Sequence, residues 1–188
     1  KQLSSDGLLP ISNSANALKS ILSTGLGLDE ATTLINTFKD RAAFGRSESI
    51  DFGTAVENLG QSFKSEQSRI GDPSGMTENY SQILEVGAGQ MGKSVDSLSS
   101  LERAQAKYLG ILQLSTGSQG DANRYAETAA GQQAKLAYQV NQTQVAIGTA
   151  LQPSVSLLSQ AFVDMTSSLG FTDAQMQTTQ GNIVTLAA

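Results

Sequence analysis

The stretch with the clearest potential for chemistry is GAGQMGKS, residues 87–94. It satisfies two glycine-rich patterns, G-x-x-x-x-G-K-[ST] of phosphate-binding P-loops and G-x-G-x-x-G of dinucleotide-binding proteins. In a P-loop a strand precedes the glycines and a helix follows them, so that backbone N–H groups and a lysine converge on phosphate. Lys93 is the candidate phosphate-binding side chain, and a P-loop nucleotide-binding protein is one interpretation of this chain.

The sequence around this stretch favours a different interpretation. Residues 80–84 place apolar side chains at helical spacing, and residues 94–100 are rich in serine with no long helix directly after the lysine. Nowhere do four to eight β-branched or aromatic residues alternate between turns, so a parallel sheet is not indicated. We therefore predict that Gly87, Gly89 and Gly92 end a helix and loosen a turn, and that no cofactor binds there.

Composition excludes most other reactive centres. The chain contains no cysteine and no histidine, which removes disulfides, thiolate metal sites and the usual general base near neutral pH. Its net charge of −5 argues against binding to a nucleic-acid backbone. We predict no catalytic residues, no metal site, no specific nucleic acid partner and no enzymatic activity.

The elements around these residues are predicted to be helices. Polar residues precede apolar stripes at five points, and the fifth forms a capping box with Glu102. The predicted N-caps are Ser12, Asp29, Asp51, Thr77 and Ser99. The fold class is therefore all-α, with a small multi-helix globule over residues 1–114.

Charge is distributed unevenly along the chain. Ten of the twelve basic and thirteen of the seventeen acidic residues lie in 1–107, and residues 136–163 carry none. We place the domain junction in the loop of residues 115–120.

A long, low-charge helix is predicted over residues 121–170. Its apolar positions recur with a mean spacing of about 3.67 residues, close to the 11-residue repeat of a nearly straight helix. The predicted helix–helix packing residues are Leu136, Val140, Ile147, Leu151, Val155, Leu158, Phe162, Met165 and Leu169. Pro153 favours a kink or a new start near residues 152–153. Residues 171–188 are predicted to begin a further helix.

The uncharged segment 136–163 is long enough to cross a bilayer, so a membrane-inserting helical protein is a second alternative. It also carries six Gln and Asn residues, which make insertion unfavourable. Packing against copies of itself, or along a polar tube, is the favoured interpretation.

Three phrases resemble the tail-length tape measure proteins of long-tailed bacteriophages and prophages. They are SVDSLSSLERAQAKYLGIL, GDANRYAETAAGQQAKL and AIGTALQP, and the resemblance covers about residues 77–158. Members commonly carry charged residues in the stretch that corresponds to 136–147, where this chain has Gln, Asn and Thr.

The resemblance implies a structural component of the virion without catalysis or cofactor. Such a protein acts as a ruler and scaffold in the lumen of the tail tube, is assembled in the host cytoplasm, and leaves during genome ejection. The implied partners are the tail tube protein, tail tip or baseplate hub proteins, tail assembly chaperones and further copies of the chain, with host-membrane contact during ejection. We expect the chain to be a piece of a longer protein.

Overall fold

The computed structural model describes residues 2–168, which form helices joined by turns, with no strand among them. Eight α-helices are present in this part of the chain. They are α1 (Ile11–Leu22), α2 (Leu28–Gly45), α3 (Phe52–Ser65), α4 (Ser68–Gly71), α5 (Tyr80–Gln90), α6 (Ser100–Leu114), α7 (Asp121–Glu127) and α8 (Ala129–Ser168). Short 3-10 turns occur at Gln2–Ser4, Asp72–Ser74, Val95–Ser97 and Thr116–Ser118. The predicted all-α class, a helical globule followed by a long helix, is confirmed.

The core of the globule is formed chiefly by α1, α2 and α3, with α6 and α7 packed against them. Apolar residues at helical spacing on these helices are completely shielded from solvent, as the amphipathic pattern requires. The largest of them include Ile21, Leu34, Ile35, Phe38, Leu59, Phe63 and Ile111. Truncating one of these side chains to alanine typically costs about 2–5 kcal/mol.

Helix starts agree with the sequence at two of the five predicted caps. The Asp51 carboxylate accepts the backbone N–H of Thr54 at 3.0 Å. Ser99 and Glu102 form the predicted capping box, with the Ser99 N–H donating to the Glu102 carboxylate at 2.9 Å.

The other three starts each differ from the predictions by two residues. Helix α1 begins directly after Pro10, and α2 begins after Gly27, whose N–H donates to the Glu30 carboxylate at 2.7 Å. Asn79, and not Thr77, caps α5 by accepting the N–H of Gln82 at 2.9 Å. Several capping residues lie side by side at these points, and tertiary packing selects among them.

The chain divides into two units, residues 1–138 and residues 139–188. The sequence placed the junction in 115–120 and predicted one helix from residue 121. The structure instead has two helices there, because Thr128 is extended (φ −75°, ψ 160°) between α7 and α8. Tyr125 and Ala126 of α7 belong to the globule's core. The junction was predicted from the change in charge along the chain, and that change does not show which apolar residues join the core.

Helix α8 is one 40-residue helix that contains Pro153, so the alternative of a new helix start near 152–153 is not what the structure shows. The predicted helix over 171–188 lies outside the described residues. At 1.5 Å per residue α8 is about 60 Å long.

Candidate interaction surface

The predicted packing residues of the long helix form an exposed apolar stripe on α8. At 100° per residue, those from Leu136 to Met165 lie within about 100° of arc on the helix surface. We call this surface the α8 stripe. Its members with described side chains, and their exposed fractions, are Leu136 (60%), Val140 (50%), Ile147 (54%), Leu151 (55%), Val155 (36%), Leu158 (69%) and Met165 (50%). The side chain of Phe162 and the whole of Leu169 lie outside what the structure describes.

Such exposure is unusual for a run of large apolar residues. Single exposed leucines are common on protein surfaces, but a contiguous apolar surface normally marks an interaction site. The nine residues were predicted to pack between helices, and within this chain those with described side chains remain open to solvent. Their packing role therefore stays a prediction about contacts with another molecule.

Covering the stripe with another molecule carries little cost in lost hydration of charged or polar groups. No residue between Lys135 and Asp164 is charged, so no ion pair must be broken or formed on contact. The hydroxyls of Thr143 and Thr149 donate to the carbonyl oxygens four residues earlier in the same helix, at 2.9 and 2.8 Å. These hydroxyls already have acceptors, so covering them carries little hydrogen-bond cost.

Two exposed apolar residues were missed by the sequence pattern. On α8, Val145 (56% exposed) and Leu157 (72% exposed) lie outside the α8 stripe, about 130° and 110° around the helix from its middle at 100° per residue. The spacing rule that defined the stripe selects residues on one face of the helix. It therefore left out these two residues, although the sequence shows that they are apolar.

The GAGQMGKS stretch forms the end of a helix and the turn that follows. Gly87 and Gly89 lie in the last turns of α5, Met91 is its C-cap, and Gly92 has a positive φ of 65°. Lys93 N–H donates to the Ala88 carbonyl at 3.0 Å, which closes the helix. A phosphate cradle uses N–H groups at a helix start, whereas this stretch presents a helix end.

Gly87 has a packing role that its motif did not indicate. A Cβ there would lie 1.7 Å from the carbonyl oxygen of Ala106 in α6. Gly110 on α6 is the counterpart, since a Cβ there would lie 2.0 Å from the carbonyl oxygen of Ile83 in α5. The two glycines let the helices cross with their backbones in contact.

Lys93 is engaged by a carboxylate of the neighbouring helix. Its ammonium group pairs with Glu102, which also accepts from Ser99. Hydrogen bonds from Lys93 and then Ser99 lower the pKa of Glu102 to about 2. The lysine that completes the P-loop pattern thus joins the α5–α6 turn to the start of α6.

A second charged cluster fastens α6 to the end of α3. Arg103 donates through Nε and Nη2 to the two carboxylate oxygens of Glu66, at 2.8 and 2.6 Å. Lys107 is 4% exposed, lies 3.2 Å from Glu66, and donates to the Phe63 carbonyl at 2.8 Å. Burial lowers the pKa of Lys107, but its ammonium group is shielded and fully engaged, as in a structural ion pair.

No group of three or more acidic side chains among residues 2–168 is arranged to hold a metal ion. Within the same residues, no helix combines the length and mean hydropathy needed to cross a bilayer.

Comparison with known proteins identifies no relative. No protein-family model matches the chain, and no curated protein or solved structure shows significant similarity to it.

Proposed function

We propose that this chain is a segment of a bacteriophage tail-length tape measure protein, a non-enzymatic ruler and scaffold of the tail tube. The proposal begins from the resemblance of residues 77–158 to that family. The structural feature that supports it most is α8, a 40-residue helix with an exposed apolar stripe and no charge between Lys135 and Asp164.

A ruler needs an extent that is proportional to its residue count. An α-helix provides this, because each residue adds about 1.5 Å along the axis. It also needs to remain extended, and lateral packing of long helices through apolar stripes maintains a straight rod. The α8 stripe has the repeat that suits such a rod.

A ruler that later leaves its tube must not bind the wall strongly. Large aromatic and arginine side chains supply most tight anchors at protein interfaces. Between Leu136 and Val163 the chain has two aromatic residues, Tyr138 and Phe162, and no arginine. This composition supports weak wall contact and release during genome ejection, and the net charge of −5 disfavours adhesion to DNA.

The proposed partners follow from this role. Tube subunits would polymerise around the helical region, the hub at the tail tip would hold one end, and assembly chaperones would keep the apolar stripe covered beforehand. Further copies of the chain would pack along the α8 stripe. The proposed location is the lumen of the virion's tail tube, reached from the host cytoplasm.

The direct test changes the length of α8 in the parent gene. Duplicating residues 136–168 adds three 11-residue repeats and keeps the stripe in phase. We expect tails longer by about 50 Å, at 1.5 Å per residue, measured by electron microscopy of assembled particles.

A matched control keeps the residue count and removes the stripe. Replacing the apolar stripe positions of the duplicated copy by glutamine keeps the number of residues in the helix. The comparison therefore separates the effect of helix length on the tail from the effect of packing through the stripe. Tails of unchanged length after the in-phase duplication would contradict the proposal.

A further inference from the structure

The corner between α7 and α8 is built by a few specific contacts. The Thr128 hydroxyl donates to the Tyr125 carbonyl at 2.7 Å and accepts the N–H of Gly131 at 3.1 Å. Gln132 donates from its side chain to the Ala126 carbonyl at 2.8 Å. A Cβ at Gly131 would lie 2.0 Å from the Tyr125 carbonyl oxygen, so the corner requires glycine there.

The corner leaves α7 docked on α2 and α3. Tyr125 stacks on Phe52 with ring centroids 5.3 Å apart, and its hydroxyl accepts from Arg46 at 2.8 Å. The N–H of Ala122, near the start of α7, donates to the Asp40 carboxylate at 3.0 Å. These contacts hold α7 as a strap across the globule.

The sequence of the strap also fits a different arrangement. Tyr125, Leu136, Ile147 and Leu158 are spaced by eleven residues each, and the set Ala129, Val140 and Leu151 has the same spacing. The repeat of the α8 stripe therefore continues into α7 without a change of phase. If α7 and α8 were one helix, Tyr125 would extend the stripe.

Few backbone changes separate the two arrangements. Thr128 has φ −75°, which already lies in the helical range, and only its ψ of 160° differs from the helical value. The N–H of Gln132 already donates to the Thr128 carbonyl at 2.9 Å, as it would within a continuous helix.

We propose that α7 is a two-state strap. In one state it is docked on α2 with the chain turned at Thr128, and in the other it is released and joined to α8 as one helix over residues 121–168. The change is a rotation about ψ of Thr128, and it adds about 12 Å to the long helix. This inference goes beyond the proposed function and does not depend on it.

The strap can be tested with Gly131→Ala, because the added Cβ clashes with the Tyr125 carbonyl oxygen only while the chain turns at Thr128. The chain has no cysteine, so the exposed residues Asn36 of α2 and Asn123 of α7 can be replaced by cysteine and spin-labelled. Double electron–electron resonance then measures the distance between the two spin labels, and so between α2 and α7. We expect Gly131→Ala to raise the population at longer distance at least about fivefold, because overpacking against the Tyr125 carbonyl disfavours only the turned state.

Gly148→Ala is the matched control, since a Cβ there meets nothing within 4 Å and the same propensity gain occurs away from the corner. It should leave the distance distribution unchanged. A single short distance in both variants would overturn the proposal. Loss of amide protection throughout α1–α3 in Gly131→Ala would also overturn it, because the corner would then be an inseparable part of the fold.

Tyr125→Ala tests the joined state without altering the corner. In a continuous helix the amides of Ala129 and Ala130 leave the first turn and gain carbonyl acceptors in α7. We expect at least fivefold slower hydrogen exchange at these two amides once the strap is released. Faster exchange there, with α7 simply frayed, would contradict the joined state.

Discussion

The backbones of α5 and α6 touch where Gly87 faces Ala106, because a Cβ on Gly87 would lie only 1.7 Å from the Ala106 carbonyl oxygen. Gly87 is also the first glycine of the P-loop-like stretch. Its presence is therefore explained by helix packing, without reference to a nucleotide.

Gly87→Ala should destabilise the globule, since the clash is with backbone and cannot be relieved by a side-chain rotation. We expect the free energy of unfolding to fall by about 3 kcal/mol. Gly89→Ala, in the same helix with nothing within 4 Å of the added Cβ, should leave it unchanged or raise it by up to about 1 kcal/mol. Urea denaturation followed by circular dichroism measures both, and equal effects would contradict this account.

The Glu66 cluster should make stability depend on acid pH. Hydrogen bonds from Arg103 lower the pKa of Glu66 below its ordinary value of 4.5. The ion pair therefore stabilises the fold above that ordinary value, and the stabilisation is lost as the pH falls through the lowered pKa of the folded state.

Glu66→Gln tests this, because it keeps the side-chain shape and the positive φ of 58° while removing the charge. We expect a loss of about 2 kcal/mol at pH 7 and a flatter dependence on pH below about 4.5. Chemical denaturation between pH 2 and 7 provides the measurement. Glu48→Gln, at an exposed position, should follow the wild-type curve, and the account fails if the two variants behave alike.

Arg46 should be important for stability because it joins three parts of the globule. It donates to the Ala42 and Ala43 carbonyls at the end of α2, to the Ile50 carbonyl before α3, and to the Tyr125 hydroxyl of α7. Its guanidinium also lies 4.6 Å from the Tyr125 ring centroid. Lysine cannot reproduce this planar set of donors. We expect Arg46→Lys to lower the free energy of unfolding by about 2 kcal/mol.

Arg124→Lys is the matched comparison for Arg46. Arg124 is 61% exposed in its side chain and pairs with Asp121 three residues earlier. Exposed pairs of this kind contribute about 0.5 kcal/mol or less, so the substitution should be nearly neutral in thermal denaturation. A loss as large as that of Arg46→Lys would show that the effect does not come from the geometry at Arg46.

The α8 stripe predicts face-dependent self-association of the chain. Leu151 on the stripe and Val145 outside it, about 120° away around the helix, are almost equally exposed, at 55% and 56%. Leu151→Asp would bury a charge at the interface, and we expect the association constant to fall more than tenfold. Val145→Asp should change it by less than about twofold. Sedimentation equilibrium measures both constants, and equal effects, or a chain that stays monomeric, would remove the support for packing through the stripe.

The local signals of the sequence predicted most of the helical architecture. The capping box of Ser99 and Glu102 and the cap at Asp51 depend on neighbours within three residues, so the sequence displays them directly. The apolar pattern of α8 was visible for the same reason. The break at Thr128 was not, because its cause includes the docking of Tyr125 on Phe52 and Arg46, far away in the chain.

The sequence predicted which residues form the candidate surface, but not what they contact. Periodicity identified the residues from Leu136 to Met165, but it could not tell whether their partners lie in the same chain. The role of Gly87 was hidden for a related reason, since a close crossing of two helices depends on the position of Ala106.

The missing charge between Lys135 and Asp164 has a consequence for the conditions under which any assembly through α8 persists. Coulomb forces have almost nothing to act on there, so raising the ionic strength should neither loosen nor tighten such an assembly through screening. Apolar burial weakens on cooling, because near room temperature its driving force is mainly the entropy of water. An assembly held by this helix should therefore come apart in the cold more readily than in salt.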